Sequence, residues 1–311
     1  MNALTTPYTT SIQPGAYISE DLLDSFTRFL DASPQSVRTY SRAVKQFLRY
    51  LSLNGITQPT REDVIGFRES LKESHKPSTI QNYVIAVRLF FQWTETAGIY
   101  PNISAHIKGA KISRSHKKDY LTSAQLQNVL SQIDRSTEQG RRDYAIAAVM
   151  ITGGLRDVEI SRANVEDLRS LGDNVVLYLQ GKGRDERQDF VIVPAKVETA
   201  IRASLADRKG INGKSPLFIS LSNNSKGQRI STRSVSGTIK TALKRAGYDS
   251  DKLTAHSLRH SAVTLAVLGG NSVQDVQQFA RHADISTTMV YFHEQDRASN
   301  KCSNTIADAI F

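Results

Sequence analysis

His256-Ser257-Leu258-Arg259-His260, followed by Arg281-His282 and then by a lone tyrosine in Thr287-Thr288-Met289-Val290-Tyr291, is the stretch on which the reading of this chain turns. On a helix, residues three apart share a face, so His256 and Arg259 point the same way and His260 lies one turn beyond His256. Histidines and an arginine ahead of one tyrosine suggest a site that grips a phosphodiester and attacks it with a phenol. That chemistry is DNA strand cleavage and rejoining.

Phosphoryl transfer to an oxygen nucleophile needs positive charge on the non-bridging oxygens, a proton donor for the leaving oxygen and a nucleophile held in line. Arginine suits the first task, because its planar fork donates two hydrogen bonds and keeps its charge. Arg259 is one candidate. Arg156 is the other, in Thr152-Gly153-Gly154-Leu155-Arg156-Asp157-Val158-Glu159 just after an apolar helix.

The 311 residues suffice for two ordinary domains, and 39% apolar against 23% charged residues is a globular balance. Forty Lys and Arg against thirty Asp and Glu leave a formal charge of +10, an attraction for polyanions such as nucleic acid. Cys302, the single cysteine, allows no internal disulfide, and no Cys/His cluster has zinc spacing. The expectation is a cytoplasmic protein, nucleoid-associated when bound to DNA, with no structural metal. The opening residues show no export leader, and the longest apolar stretch, Tyr144 to Ile151, is too short for a membrane span.

The fold class expected is mainly α with a small β-sheet (α+β). Residues 1–18, rich in Thr and Pro, read as a flexible arm. A helical domain follows over 19–103. Leu22, Leu23, Phe26, Phe29 and Leu30 fall on one helical face, and after Ser33-Pro34 so do Val37, Tyr40, Val44, Phe47, Leu48 and Leu51, closed by Asn54-Gly55. A third helix opens at Thr60 with Glu62 and Asp63 in its first turn. A fourth follows Lys76-Pro77-Ser78 and buries Ile80, Tyr83, Val84, Val87, Phe90 and Phe91. Helical spacing assigns these aromatics to a core rather than to base stacking. Arg38, Arg42, Lys45, Arg49 and Arg88 lie off the apolar face, where they would line a DNA-facing surface or simply be solvated.

Residues 104–119 carry Lys108, Lys111, Arg114, Lys117 and Lys118 without an acid, and read as a basic linker lying on phosphate backbone. The second domain, 120–311, opens with a capped helix at Leu121-Thr122-Ser123. Asn174 to Leu179 and Asp189 to Val193 form a hairpin around Gly181-Lys182-Gly183-Arg184-Asp185-Glu186-Arg187. Beyond Pro216-Leu217-Phe218-Ile219 the pattern is helical: Val235 to Ala246, Ser257 to Leu268, Val273 to Ala280 and Ser286 to Phe292.

These residues in this order resemble the tyrosine recombinases, the group of phage integrases and Xer-type recombinases, over roughly Ser19 to Phe311. The resemblance implies a helical core-binding domain joined to a catalytic domain. It also implies a catalytic set. Arg156 matches the first arginine, Lys182 the lysine of the hairpin turn, His256 and Arg259 the His-x-x-Arg pair, His282 the later histidine and Tyr291 the nucleophile. Glu159 matches an acid that orients the first arginine, and His260 a supporting residue. Arg184 and Arg187 share the turn with Lys182 and compete for its role. The position before His282 is often glycine in the family, whereas Arg281 stands there and would either crowd the site or add a phosphate contact.

The mechanism implied is attack by Tyr291 to form a 3′-phosphotyrosyl link, with Lys182 protonating the departing 5′ oxygen and no cofactor, metal or ATP. The implied partners are double-stranded DNA, a homo-tetramer on paired sites and accessory DNA-bending or directionality proteins, with no membrane. Residues 305–311 resemble the family's docking tail, the alternative being that they pack on their own domain. Two other functions stay open at this level. One is strand relaxation like that of a type IB topoisomerase; the other is a non-catalytic DNA-binding protein derived from a recombinase.

Overall fold

The computed structural model describes residues 17–111, 120–180 and 187–311, and the chain divides into two compact units, Met1–Arg114 and Ser115–Phe311. The expected arm, Lys182, Arg184, Arg114, Lys117 and Lys118 lie outside the described residues.

The first unit holds four helices among its described residues: α1 (Leu22–Phe29), α2 (Pro34–Leu53), α3 (Arg61–Ser70) and α4 (Pro77–Thr96). Local signals set their ends. The Ser33 hydroxyl accepts from the Ser36 amide at 3.2 Å with Pro34 at the first helical position, and Gly55, at φ 65°, follows the last turn of α2. Asp63 accepts from the Thr60 amide at 2.7 Å to start α3. Phe26, Phe47, Phe67, Phe90 and Phe91 are fully buried and meet edge to face, for example Phe47 and Phe67 with centroids 5.2 Å apart. The aromatics read as core from their spacing are core. Phe29 departs from that pattern: it sits at the end of α1, 52% exposed.

The first part of the expected linker is not a free strap. Ile107 is buried in this same core beside Ile103 and Ala110, while the Arg68 guanidinium donates to the Lys108 carbonyl at 2.7 Å. Apolar residues at 103, 107 and 110, set among the lysines, draw the segment onto α3 and α4. Lys108 and Lys111 remain exposed.

In the second unit α5 (Ser123–Ser131), capped by Thr122, precedes α6 (Glu138–Gly153), the buried helix at its centre. The short α7 (Asp157–Arg162) and a three-stranded antiparallel sheet follow, in order β1 (Leu168–Leu171), β2 (Asn174–Leu179) and β3 (Asp189–Ile192). The expected hairpin is β2 and β3, in register at Leu179 and Asp189. Then come α8 (Ala195–Leu205), α9 (Thr232–Arg245), α10 (Ala255–Leu268), α11 (Val273–Ala280), α12 (Ile285–Ser299) and α13 (Cys302–Ile310). α6 packs against α8, α9 and α10, so Ile146, Met150, Leu155, Ile160, Leu177, Phe218, Ile239 and Leu258 form one core. Val263, Val267, Val276, Ala280 and Tyr291 form a separate small cluster where α10, α11 and α12 meet. α13 buries none of its residues, so the tail does not pack on its own domain; Ile306, Ile310 and Phe311 are 59%, 68% and 104% exposed.

Candidate active site

Two guanidinium groups converge on one carbonyl, that of Gly154. α6 stops at Gly153, and Gly154 turns left-handed at φ 57°, where an added Cβ would lie 3.3 Å from the Phe279 ring. That turn delivers Arg156 to the start of α7. Glu159, 1% exposed, reaches back to accept from the Arg156 amide at 2.8 Å with one oxygen and from its guanidinium at 2.8 Å with the other. The Arg156 side chain is 32% exposed, so part of its fork faces outward.

Arg259 is 3% exposed on α10 and donates to two backbone carbonyls, Gly154 and Ala280. It thereby ties the Arg156 turn to the end of α11. Burial first, and then the Arg156 and Arg281 cations, push its guanidinium down to about 9. The site holds more positive charge than it can neutralise unaided, an arrangement that favours an anion.

α11 ends in a Schellman turn. The Arg281 amide donates to the Gln278 carbonyl at 3.0 Å and the His282 amide to Gln277 at 3.1 Å, with Arg281 left-handed at φ 53° where glycine is usual. This turn aims His282, whose Nδ1 is 2.9 Å from the Thr288 hydroxyl. Asp284 starts α12, accepting from the Ser286 amide at 2.8 Å, and α12 carries Tyr291. The Tyr291 ring is 8% exposed, stacked 6.3 Å from His282 and 5.0 Å from His260. Burial holds its phenol above the ordinary tyrosine range, against the opposing pull of Arg259.

The structure thus brings together Arg156, Glu159, Arg259, His260, His282 and Tyr291. His256 is exposed in the first turn of α10, one helical turn before Arg259. Lys182 falls outside the described residues; Arg187, the rival in that turn, instead pairs with buried Asp167 at 3.1 Å. Thr288, which positions His282, is absent from the residues expected in the site, although its place three residues before Tyr291 on one helix face marks it as a neighbour. Arg281 adds no contact at the surface of the site. It is 6% exposed, and its donors go to the Gly153, Gly154 and Phe279 carbonyls and to Glu159 at 3.0 Å. Burial pushes Glu159 up, but Arg281, then the Arg156 amide and guanidinium, outweigh it and hold the carboxyl below its usual range.

On the first unit, Arg38, Arg42, Lys45 and Arg49 are exposed along one stripe of α2, and Arg88 is exposed on α4. Arg42, Lys45 and Arg49 line a groove with Tyr50, Phe67 and Ser74. Among the described residues no helix is long and apolar enough to cross a membrane.

The profile described as "Phage integrase family" matches residues 119–298, and "Phage integrase, N-terminal SAM-like domain" matches residues 23–98. The chain is 28% identical over 288 residues to tyrosine recombinase XerD of Listeria innocua, covering 88% of this chain and 94% of that one. It is 25% identical to tyrosine recombinase XerC of Caldanaerobacter subterraneus subsp. tengcongensis, covering 92% and 86%. Among solved structures, a post-cleavage complex of the XerH site-specific recombinase with palindromic difH substrate aligns with a TM-score of 0.73 at 20% identity, covering 92% of this chain and 85% of that one. The Tn1549 transposon integrase with circular intermediate DNA aligns at 0.67 and 18% identity, covering 87% and 93%.

Proposed function

Because the chain belongs to the phage integrase family, the tyrosine recombinases, and is a DNA breaking and rejoining enzyme of site-specific recombination, we propose that Tyr291 is its nucleophile and that the cluster around it is its catalytic site. One observation carries this reading: Tyr291 sits 6.3 Å from His282 in a shell that also holds Arg259, which is bonded to the turn bearing Arg156.

In this reading the Tyr291 oxygen adds to phosphorus, the bond to the 5′ oxygen breaks, and Lys182 supplies the proton that leaves with it. Arg156, Arg259 and His282 stabilise charge on the non-bridging oxygens, and His256 assists proton movement. The phenol begins protonated, since burial favours its neutral form, so it must lose its proton as the bond to phosphorus forms. Energy of the broken bond is kept in the phosphotyrosyl link, and a 5′ hydroxyl of another strand reverses the step. DNA is the partner, gripped in part by Arg42, Lys45 and Arg49 on α2. The exposed apolar face of α13 supports assembly of a homo-tetramer on paired sites, because Ile306, Ile310 and Phe311 need cover from another surface. It also favours recombination over simple strand relaxation.

The test is to incubate the protein with fragmented genomic DNA of its source, stop with SDS, recover protein-linked DNA and sequence it. Wild type should yield adducts enriched in one site, and Tyr291→Phe should bind that site without forming them. Adducts formed by Tyr291→Phe would remove the assignment.

A further inference from the structure

We propose that Arg281 is a positioning residue for strand cleavage: it shares the Glu159 carboxylate with Arg156, fixing that carboxylate and leaving the Arg156–Glu159 pair positively charged toward a phosphate. The proposal rests on the reading of Arg156 and Arg259 as the arginines that grip the phosphate.

The backbone gives the first reason. Arg281 occupies the left-handed position of a Schellman turn, where glycine fits without strain and a side chain does not. A side chain held in a disfavoured conformation points to a use for that side chain. Its contacts show the use. The guanidinium crosses from the end of α11 to the end of α6, donates to the Gly153 and Gly154 carbonyls that the helix leaves without partners, and takes the Glu159 oxygen at 3.0 Å.

Charge gives the second reason. Arg156 and Glu159 alone are a neutral pair, with little to offer an anion. With Arg281 on the same carboxylate and Arg259 bonded to the same Gly154 oxygen, three guanidinium groups face one carboxylate, a surplus of two positive charges. The pentacoordinate phosphorus formed when the phenol adds bears two negatively charged non-bridging oxygens, so the surplus matches the transition state better than the starting diester. Arg281 is itself buried and its donors are taken by protein acceptors, so it acts through Glu159 and Arg156 rather than by touching DNA.

The experiment uses the full chain and a nicked duplex oligonucleotide bearing the site recovered by trapping, in single-turnover cleavage. Arg281→Gly, which suits the turn and lacks the charge, should cleave about 10- to 100-fold more slowly while binding the duplex as wild type does, and Arg281→Lys should recover part of the loss. Replacing one non-bridging oxygen at the scissile phosphate by methyl removes a negative charge, and there the deficit of Arg281→Gly should shrink. Adding Arg281→Gly to Glu159→Gln should slow cleavage no further than Glu159→Gln does. Wild-type cleavage by Arg281→Gly, an equal deficit on both substrates, or a deficit fully accounted for by weaker binding would overturn the proposal. Should Arg281→Gly fail to fold by circular dichroism, Arg281→Met carries the same comparison. Failure of the parent reading looks different, because Tyr291→Phe would then still form adducts.

Discussion

Glu159 and Arg281 form an ion pair at 3.0 Å with side chains only 1% and 6% exposed, although they are 122 residues apart in sequence. Removing one partner of a buried pair strands the other, so Glu159→Gln should cost about 3 kcal/mol at neutral pH. Urea denaturation at pH 7 measures this, and a change within error of zero would contradict the ion pair.

The acid dependence has a defined sign. Glu159 titrates below its ordinary value of 4.5, so its contribution is present above that pH and is lost as pH falls through the lower folded-state value. Wild type should therefore lose stability more steeply than Glu159→Gln on acidification from about pH 5 downward, and the two should converge in acid.

Tyr291 should titrate late. Its folded-state value lies above 10.0, so the neutral phenol is favoured in the folded protein, and that part of the stability declines as pH rises past 10.0. The ultraviolet difference between wild type and Tyr291→Phe during alkaline titration isolates this one phenol. A midpoint at or below the ordinary tyrosine value would refute the burial argument.

An oxyanion should stabilise the DNA-free protein. Mutual repulsion among Arg156, Arg259 and Arg281 is relieved when an anion occupies the site, so inorganic vanadate should raise Tm for wild type. The rise should be smaller for Arg259→Met. Equal rises in both proteins would place the anion elsewhere.

The α2 stripe should set part of the salt dependence of DNA binding. Neutralising Arg42, Lys45 and Arg49 to Gln should flatten the slope of log K against log salt by about 0.9 for each phosphate that these side chains neutralise in the wild-type complex. An unchanged slope would mean that these exposed cations face solvent when DNA is bound.

Deleting residues 301–311 should leave Tm unchanged, since α13 buries none of its residues. Assembly on paired sites, measured by sedimentation with site-bearing duplexes, should weaken. A large drop in Tm would show that the tail packs on its own unit.

Much of the fold is legible in the sequence because its cause is local. Ser33-Pro34, Thr60 with Asp63, and Thr122 start helices in the structure where the sequence says they do, and the β2–β3 hairpin has the expected limits within a residue. Elements set by tertiary packing are less visible. β1 is only four residues long and mostly exposed, so no alternation marks it, and α7 is a six-residue helix begun by a site arginine rather than by a usual cap. α8 is also missing from the expected elements, although Val197 and Ile201, which it sets against α6, keep helical spacing. In the site, the order of Arg156, His256, Arg259, His282 and Tyr291 is legible because the chemistry demands those residue types. The role of Arg281 is not, because its partner Glu159 comes near only through the folding of α6, α7 and α11.

Arg259 and Arg281 are anchored chiefly to the peptide oxygens of Gly153, Gly154, Phe279 and Ala280. Every amino acid carries such an oxygen, so most substitutions that drift into the surrounding helices leave these anchors standing as long as the trace of the chain is preserved. A reactive centre moored in this way tolerates extensive rewriting of its neighbourhood, which is how proteins sharing only about a quarter of their residues with this one can retain the same architecture.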